Sequence, residues 1–200
     1  MEENAIGKFR VLIIGGSAGS LDVIIRIVGQ LPKNIGLTTV IIVHRKNEPD
    51  SILQSLLTSK TTIPVKEVED KEPILANTIY IAPPDYHLLV ENESQFSLDS
   101  SEKIHYSRPS IDVGFESAAV IFKDSLVAVL LSGANADGAR GLRTVQLLGG
   151  YTIVENPATA EVNYMPQEAI KLSKLHHIVD GKAIPGYLHQ LLLKPTSTLD

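Results

Sequence analysis

Short apolar runs rich in β-branched residues recur along this chain, with segments of helical spacing between them. Residues 9–14, 38–43, 126–131 and 151–154 are each bounded by turn residues, and each reads as a buried strand. Leu21, Ile24, Ile25 and Val28 form one apolar helical face; Ile52, Leu53, Leu56 and Leu57 form another. Ala118, Ala119 and Phe122 follow Ser110, a residue suited to cap a helix, and Leu142, Val145 and Leu148 run into a stop at Gly149-Gly150. The alternation predicts an α/β fold, a doubly wound, mostly parallel sheet flanked by helices. Residues 77–98 break the rhythm. Their short apolar stretches are separated by Pro-Pro-Asp and Glu-Asn-Glu-Ser, which predicts an inserted antiparallel hairpin.

In a parallel sheet every strand releases the chain at the same edge. Ligands collect at that carboxyl edge, near the point where strand order reverses. A functional side chain is therefore expected directly after a strand.

Composition excludes several classes. The 200 residues suffice for one well-cored domain, and 44% hydrophobic with 20% charged residues is the balance of a soluble globular protein. Cysteine is absent, which removes disulfides, thiolate nucleophiles and cysteine zinc sites and suits a reducing cytoplasm. Acidic residues occupy the start, where a signal peptide would be basic, and no apolar run approaches the roughly 20 residues needed to cross a bilayer. A cytoplasmic protein without membrane insertion is expected. The net charge of −5, with no basic helix, argues against nucleic acid as a partner. Apart from the adjacent pair His176-His177, which reads as structural, the histidines lack metal-ligand spacing with carboxylates, so neither metal nor cofactor is expected. The final KPTSTLD reads as a tail.

The first strand runs into Gly15-Gly16-Ser17-Ala18-Gly19 and then a helix. A phosphate-cradling loop would have this shape, but Ser17 and Ser20 stand where the dinucleotide fingerprint needs glycine, and the P-loop lysine is missing. Gly15-x-Ser17-x-Gly19 also matches a nucleophile turn. A plain strand–helix turn with a capping serine remains the simple alternative. A nucleophilic serine needs a base. His44 follows the second strand, as a base would, or as a histidine closing a strand end. Asp137 follows the strand at 126–131, either as the acid that orients such a base or as a helix cap. The order Ser17, His44, Asp137 differs from that of the α/β-hydrolases. His87, His105, His176, His177 and His189 read as structural or solvated.

With those residues in place, the chain resembles the catalytic domain of the chemotaxis receptor methylesterases, the CheB family, from about residue 11 to about 193. GGSAGS resembles the family's serine loop, Val43-His44 its histidine segment, and TIYIAPPDYHL its YIAP-x-D-x-H hairpin. RPSIDVGFES, LLSGANADGARG and NYMPQEAI resemble three further motifs, with Asp137 at the acidic position. The resemblance implies a serine hydrolase with the triad Ser17, His44 and Asp137. Its substrates would be glutamyl methyl esters on the cytoplasmic helices of methylated chemoreceptors, with glutamine deamidation as a second activity. It also implies one catalytic domain over 1–200, with a core of about 9–193, and no room before the first strand for a receiver domain. The chain would then be a stand-alone enzyme or part of a longer fusion. An ester hydrolase of other specificity and a non-catalytic interaction module of the same fold are the alternatives.

Four residues at three places depart from the family's usual pattern. Arg45-Lys46 follow the histidine in place of Met-Pro, Ala134 replaces a methionine, and Ser20 replaces a glycine. Ala18 and Ala134 are candidates for the oxyanion region, and Arg45 and Arg108 for the substrate rim. With Lys46, Arg140 and Arg143 these arginines would form either a basic rim able to steer an acidic partner or a solvated scatter of surface charge.

Overall fold

The computed structural model describes residues 8–45, 52–173 and 177–193. The strands are β1 (Val11–Gly16), β2 (Thr38–Val43), β3 (Val65–Glu67), β4 (Thr78–Ile81), β5 (His87–Asn92), β6 (Gln95–Asp99), β7 (Leu126–Leu130), β8 (Tyr151–Glu155) and β9 (His177–Val179). The helices are α1 (Leu21–Gln30), α2 (Ile52–Thr58), α3 (Ile111–Phe122), α4 (Ala139–Leu147), α5 (Tyr164–Leu172) and α6 (Ile184–Leu193).

Seven strands form one sheet in the order β3-β4-β2-β1-β7-β8-β9, and every pairing in it is parallel. From β1 the chain passes to β2, goes on to β3 at the edge and turns back to β4 between β3 and β2, then crosses to β7 and winds the other way. Strand order therefore reverses between β1 and β7, as a doubly wound sheet requires.

The central strands bury both faces and still alternate with period two. Val11, Ile13, Val40, Ile42, Ala128 and Leu130 face a core completed by α3, α4 and α5. Leu12, Ile14, Ile41, Val127 and Val129 face the other, completed by α1 and α6. On the first side α3 presses closely on the sheet. A Cβ at Gly15 would stand 2.4 Å from Ile111 Cγ2, so the strand stays glycine there and the start of α3 sits against the carboxyl edge.

Several elements differ from the expectation. β1 lies two residues later than 9–14 and runs through Gly15 and Gly16. The buried face of α1 is Val23, Ile24, Ile27 and Val28, with Leu21 exposed. In α2 only Leu57 is buried, because this helix covers the sheet edge at β3, where one side suffices. Leu148 lies past α4 and is exposed. Of residues 77–98, Thr78–Ile81 belongs to the main parallel sheet, and only β5 and β6 make the antiparallel hairpin. Ile79, Tyr80 and Ile81 are buried on both faces, which is the mark of an interior parallel strand. β3 and β9 have three residues each and lie at the sheet edges, too short to show periodicity. Among the described residues no helix is long and apolar enough to cross a membrane. Lys46, His176 and the final seven residues lie outside the described residues.

Candidate active site

β1 and β2 end in register, Gly16 opposite Val43. Ser17 and His44 are thus the first residues past two neighbouring strand ends, and parallel neighbours run about 4.8 Å apart. The His44 amide still donates to the Gly16 carbonyl at 3.3 Å.

The Ser17 turn is held from both sides. Its amide donates to the Ser132 carbonyl at 2.9 Å, across the reversal point. Its carbonyl accepts the Ser20 amide at 3.1 Å and the Ser20 hydroxyl at 2.7 Å. Ser20 is fully buried, so the serine that departs from the family pattern clamps the turn. Gly19 has φ +82°, and a Cβ there would meet Glu161 Cβ at 2.6 Å and Ser132 Oγ at 2.7 Å. Ser132 Oγ in turn reaches the Ala18 carbonyl at 2.8 Å and accepts the Val162 amide at 2.8 Å. The Ser17 hydroxyl itself makes no hydrogen bond to any described residue.

Asp137 is completely buried. It does not cap the helix that follows it, α4, whose N-cap is Gly138 at φ +90°. Instead it caps α3. Oδ1 accepts the Ser110 hydroxyl at 2.8 Å and the Asp112 amide at 3.0 Å; Oδ2 accepts the Ile111 amide at 2.8 Å and faces His44 Nε2 at 2.7 Å. Burial pushes this carboxyl up. The hydrogen bonds from His44 and from the Asp112 and Ile111 amides, with the imidazole's charge, outweigh burial and hold it below its ordinary range.

An ionised carboxylate only accepts, so His44 Nε2 carries the hydrogen and Nδ1 is left as the basic nitrogen. Ser107 Oγ lies 3.3 Å from that Nδ1. The imidazole is 12% exposed, open enough for a substrate and sheltered enough to hold its orientation.

Asp112, the second buried carboxylate, accepts the Gly141 amide at 2.7 Å through Oδ1. Burial raises it, and the charge of Asp137 adds to the effect. Ser110 reaches further out: its amide donates to His87 Nδ1 at 3.0 Å, and His87 Nε2 pairs with the Glu102 carbonyl at 2.9 Å. His87 therefore belongs to the framework behind Asp137. His177 stacks on Tyr151, and His189 reaches the Gln30 carbonyl at 2.9 Å.

A cavity of about 410 Å³ opens beside His44, lined also by Arg45, Asp85, Lys103, Tyr106, Ser107 and Arg108; Ser17 does not line it. The expected rim arginines are there, but both are already engaged. Arg45 pairs with Glu67 and reaches the Ala82 carbonyl, while Arg108 donates to the Ser100 and Ser101 carbonyls at 2.6 and 2.7 Å. Arg140 turns to Asp112 and Glu116, at 3.8 and 3.6 Å. Ala18 and Ala134 are exposed, and their amides make no hydrogen bond to any described residue. Gly133 brings the Ala134 backbone close: a Cβ on it would lie 3.1 Å from Ser17 Cβ.

The profile of the CheB methylesterase family matches residues 12–188. The chain belongs to that family. The crystal structure of the CheB methylesterase catalytic domain from Thermotoga maritima superposes with a TM-score of 0.82 at 34% identity, covering 92% of this chain and 98% of that one. A relative from Leptospira interrogans is 39% identical over 177 residues, 88% of this chain and 92% of its own length. The protein-glutamate methylesterase/protein-glutamine glutaminase of Thermotoga maritima is 33% identical over 186 residues, covering 92% of this chain and 54% of that protein. The one from Symbiobacterium thermophilum is 31% identical, covering 88% and 48%, so the chain spans about half the length of these two.

In this CheB-family chain, three distant motifs supply one site. GGSAGS makes the Ser17 turn, LLSGANADGARG brings Asp137, and RPSIDVGFES supplies the helix N-terminus that holds Asp137. Sequence reasoning missed Ser107, Ser132 and the role of Ser110 toward Asp137. Ser110 had a signal as a helix cap; Ser107 and Ser132 had none, since isolated polar residues beside a turn are common.

Proposed function

We propose that this chain is a protein-glutamate methylesterase and protein-glutamine glutaminase in which Ser17 is the nucleophile, His44 the base and Asp137 the orienting acid. The observation that carries this is the 2.7 Å pairing of His44 Nε2 with a buried, ionised Asp137, on the strand end next to Ser17. The family membership and the relatives' names support the substrate class.

Ser17 Oγ attacks the γ-carbonyl of a glutamyl methyl ester as His44 Nδ1 takes its proton. The tetrahedral intermediate collapses with the proton passing from His44 to the departing methoxide, releasing methanol and leaving an acyl-Ser17. Water, deprotonated by the same nitrogen, then hydrolyses the acyl-enzyme and restores Ser17. With a glutamine substrate, ammonia leaves in place of methanol. Asp137 stays ionised throughout and stabilises the imidazolium. The unpartnered amides of Ala18 and Ala134 are the donors for the oxyanion, a contribution of about 2.7–4 kcal/mol each in hydrolases of this kind. Residues 9–193 act as one catalytic unit on chemoreceptor cytoplasmic helices, and the site of action is the cytoplasm. Lys103 and Arg108 lend the cavity beside His44 positive charge for those acidic helices, offset in part by Asp85, while the charge of Arg45 is already met by Glu67.

A fluorophosphonate that phosphonylates active serines tests the triad. Labelling is expected at Ser17 and is expected to vanish in His44→Ala. Methanol release from methylated receptor membranes tests the substrate. Labelling without methanol release would point to another ester, and no labelling at all would leave an interaction module.

A further inference from the structure

We infer that Ser107 is a positioning residue that caps the basic nitrogen of His44 in the resting protein, so that turnover exchanges one serine hydroxyl for another at Nδ1. The inference rests on the triad proposed above.

Nε2 is committed to Asp137 at 2.7 Å, which leaves the imidazole one lone pair, on Nδ1. Among the described residues, the hydroxyl within hydrogen-bond range of that lone pair is Ser107 Oγ at 3.3 Å, while the Ser17 hydroxyl is unbonded. A base nitrogen that already accepts a hydrogen bond is less available to take a proton from Ser17. The cap must therefore leave, or turn its proton elsewhere, before attack.

The surroundings supply both options. Ser107 Oγ has a second acceptor, the His105 carbonyl at 3.4 Å, and it accepts from Asn135 Nδ2 at 3.4 Å. Rotating the hydroxyl moves its hydrogen from Nδ1 to that carbonyl without breaking the Asn135 contact. The segment carrying Ser107 is also poised to shift. His105 and Tyr106 both have positive φ, +49° and +62°, a conformation that L residues seldom adopt in succession. Tyr106 lines the cavity and is 97% exposed, so it does not anchor the turn. Among the described residues, the turn is held by the paired Ile104 and Ser107 backbones, bonded at 3.1 and 2.8 Å, by the long Asn135 contacts and by His105 Nε2 at 3.6 Å from Asp112 Oδ2.

The test compares wild-type protein with Ser107→Ala and Ser107→Thr. Fluorophosphonate is small enough to report on Ser17 and its base without receptor contacts. The loss of one net hydrogen bond predicts labelling about two- to tenfold faster in Ser107→Ala, and Ser107→Thr, which keeps the hydroxyl, should follow wild type. Nitrogen-15 NMR of labelled histidine should show the His44 Nδ1 resonance moving in Ser107→Ala while Nε2 stays in place, a signature that loosened packing would not give. A labelling rate no faster than wild type, or an unmoved Nδ1 resonance, overturns the cap. Failure of wild-type protein to label at all would instead sink the nucleophile assignment, and the Nδ1 resonance alone would then decide on Ser107.

Discussion

Asp137 binds His44 and the Ile111 amide through the same oxygen, Oδ2, at 2.7 and 2.8 Å. One carboxylate thus orients an imidazole delivered by β2 and caps a helix packed on one face of the sheet. The two tasks can be separated. Asp137→Asn keeps the shape but offers His44 an N–H or a weaker acceptor, which frees the tautomer that carries its hydrogen on Nδ1. Methanol release is expected to fall by about 10⁴-fold in kcat, as when other triads lose their tautomer control, with the protein still folded. Asp137→Ala should instead lose stability as well, because each buried donor left unpaired costs about 1–3 kcal/mol. Denaturant melts beside the kinetics distinguish the two, and an Asn variant with near-normal kcat would refute the role of Asp137.

The buried carboxylates predict opposite responses to pH. Asp137 is held below its ordinary range, so its stabilisation is present above that range and is lost as pH falls through its folded-state value. Glu155 is pushed up by burial, opposed only in part by the Ser132 amide at 2.8 Å. Above the ordinary carboxylate range the unfolded chain ionises this group while the folded one resists. Stability therefore falls as pH rises from that range through the folded value.

Glu155→Gln should remove the second effect, since its amide oxygen can still accept from Ser132. The melting temperature near neutral pH is expected to rise by a few degrees and to decline less steeply above the carboxylate range, where the raised Asp112 still contributes. A neutral-pH midpoint at or below that of wild type would contradict this.

Gly19→Ala places a methyl group at φ +82°, within 2.6 Å of Glu161 Cβ and 2.7 Å of Ser132 Oγ. The backbone strain costs about 1–2 kcal/mol. Glu161 Cβ cannot swing away as a side-chain tip could, so the turn must move and carry Ser17 with it. A misplaced nucleophile is expected to lower kcat by up to about 10²-fold with KM little changed. Equal loss in kcat and in thermal midpoint, with labelling at Ser17 unimpaired, would argue against it.

The amino-acid pattern alone determined the α/β class and pointed to three residues that follow strands. β-branched runs separated by helical spacing leave few folds open, and a parallel sheet sends every strand's successor to one edge, so Ser17, His44 and Asp137 stood out by position. Local pattern also marked Ser110 as a cap. It could not say that Thr78–Ile81 joins the main sheet while His87–Asn92 does not, since an apolar run does not name its partner strand. Only the tertiary structure decided that Asp137 caps α3 and not the α4 that follows it, that Arg45 and Arg108 are already paired, and that Ser107 lies on His44 Nδ1. Periodicity records which side of an element is buried. Hydrogen bonds between segments 25–63 residues apart depend on how those elements are brought together, and nothing in the local sequence encodes that distance.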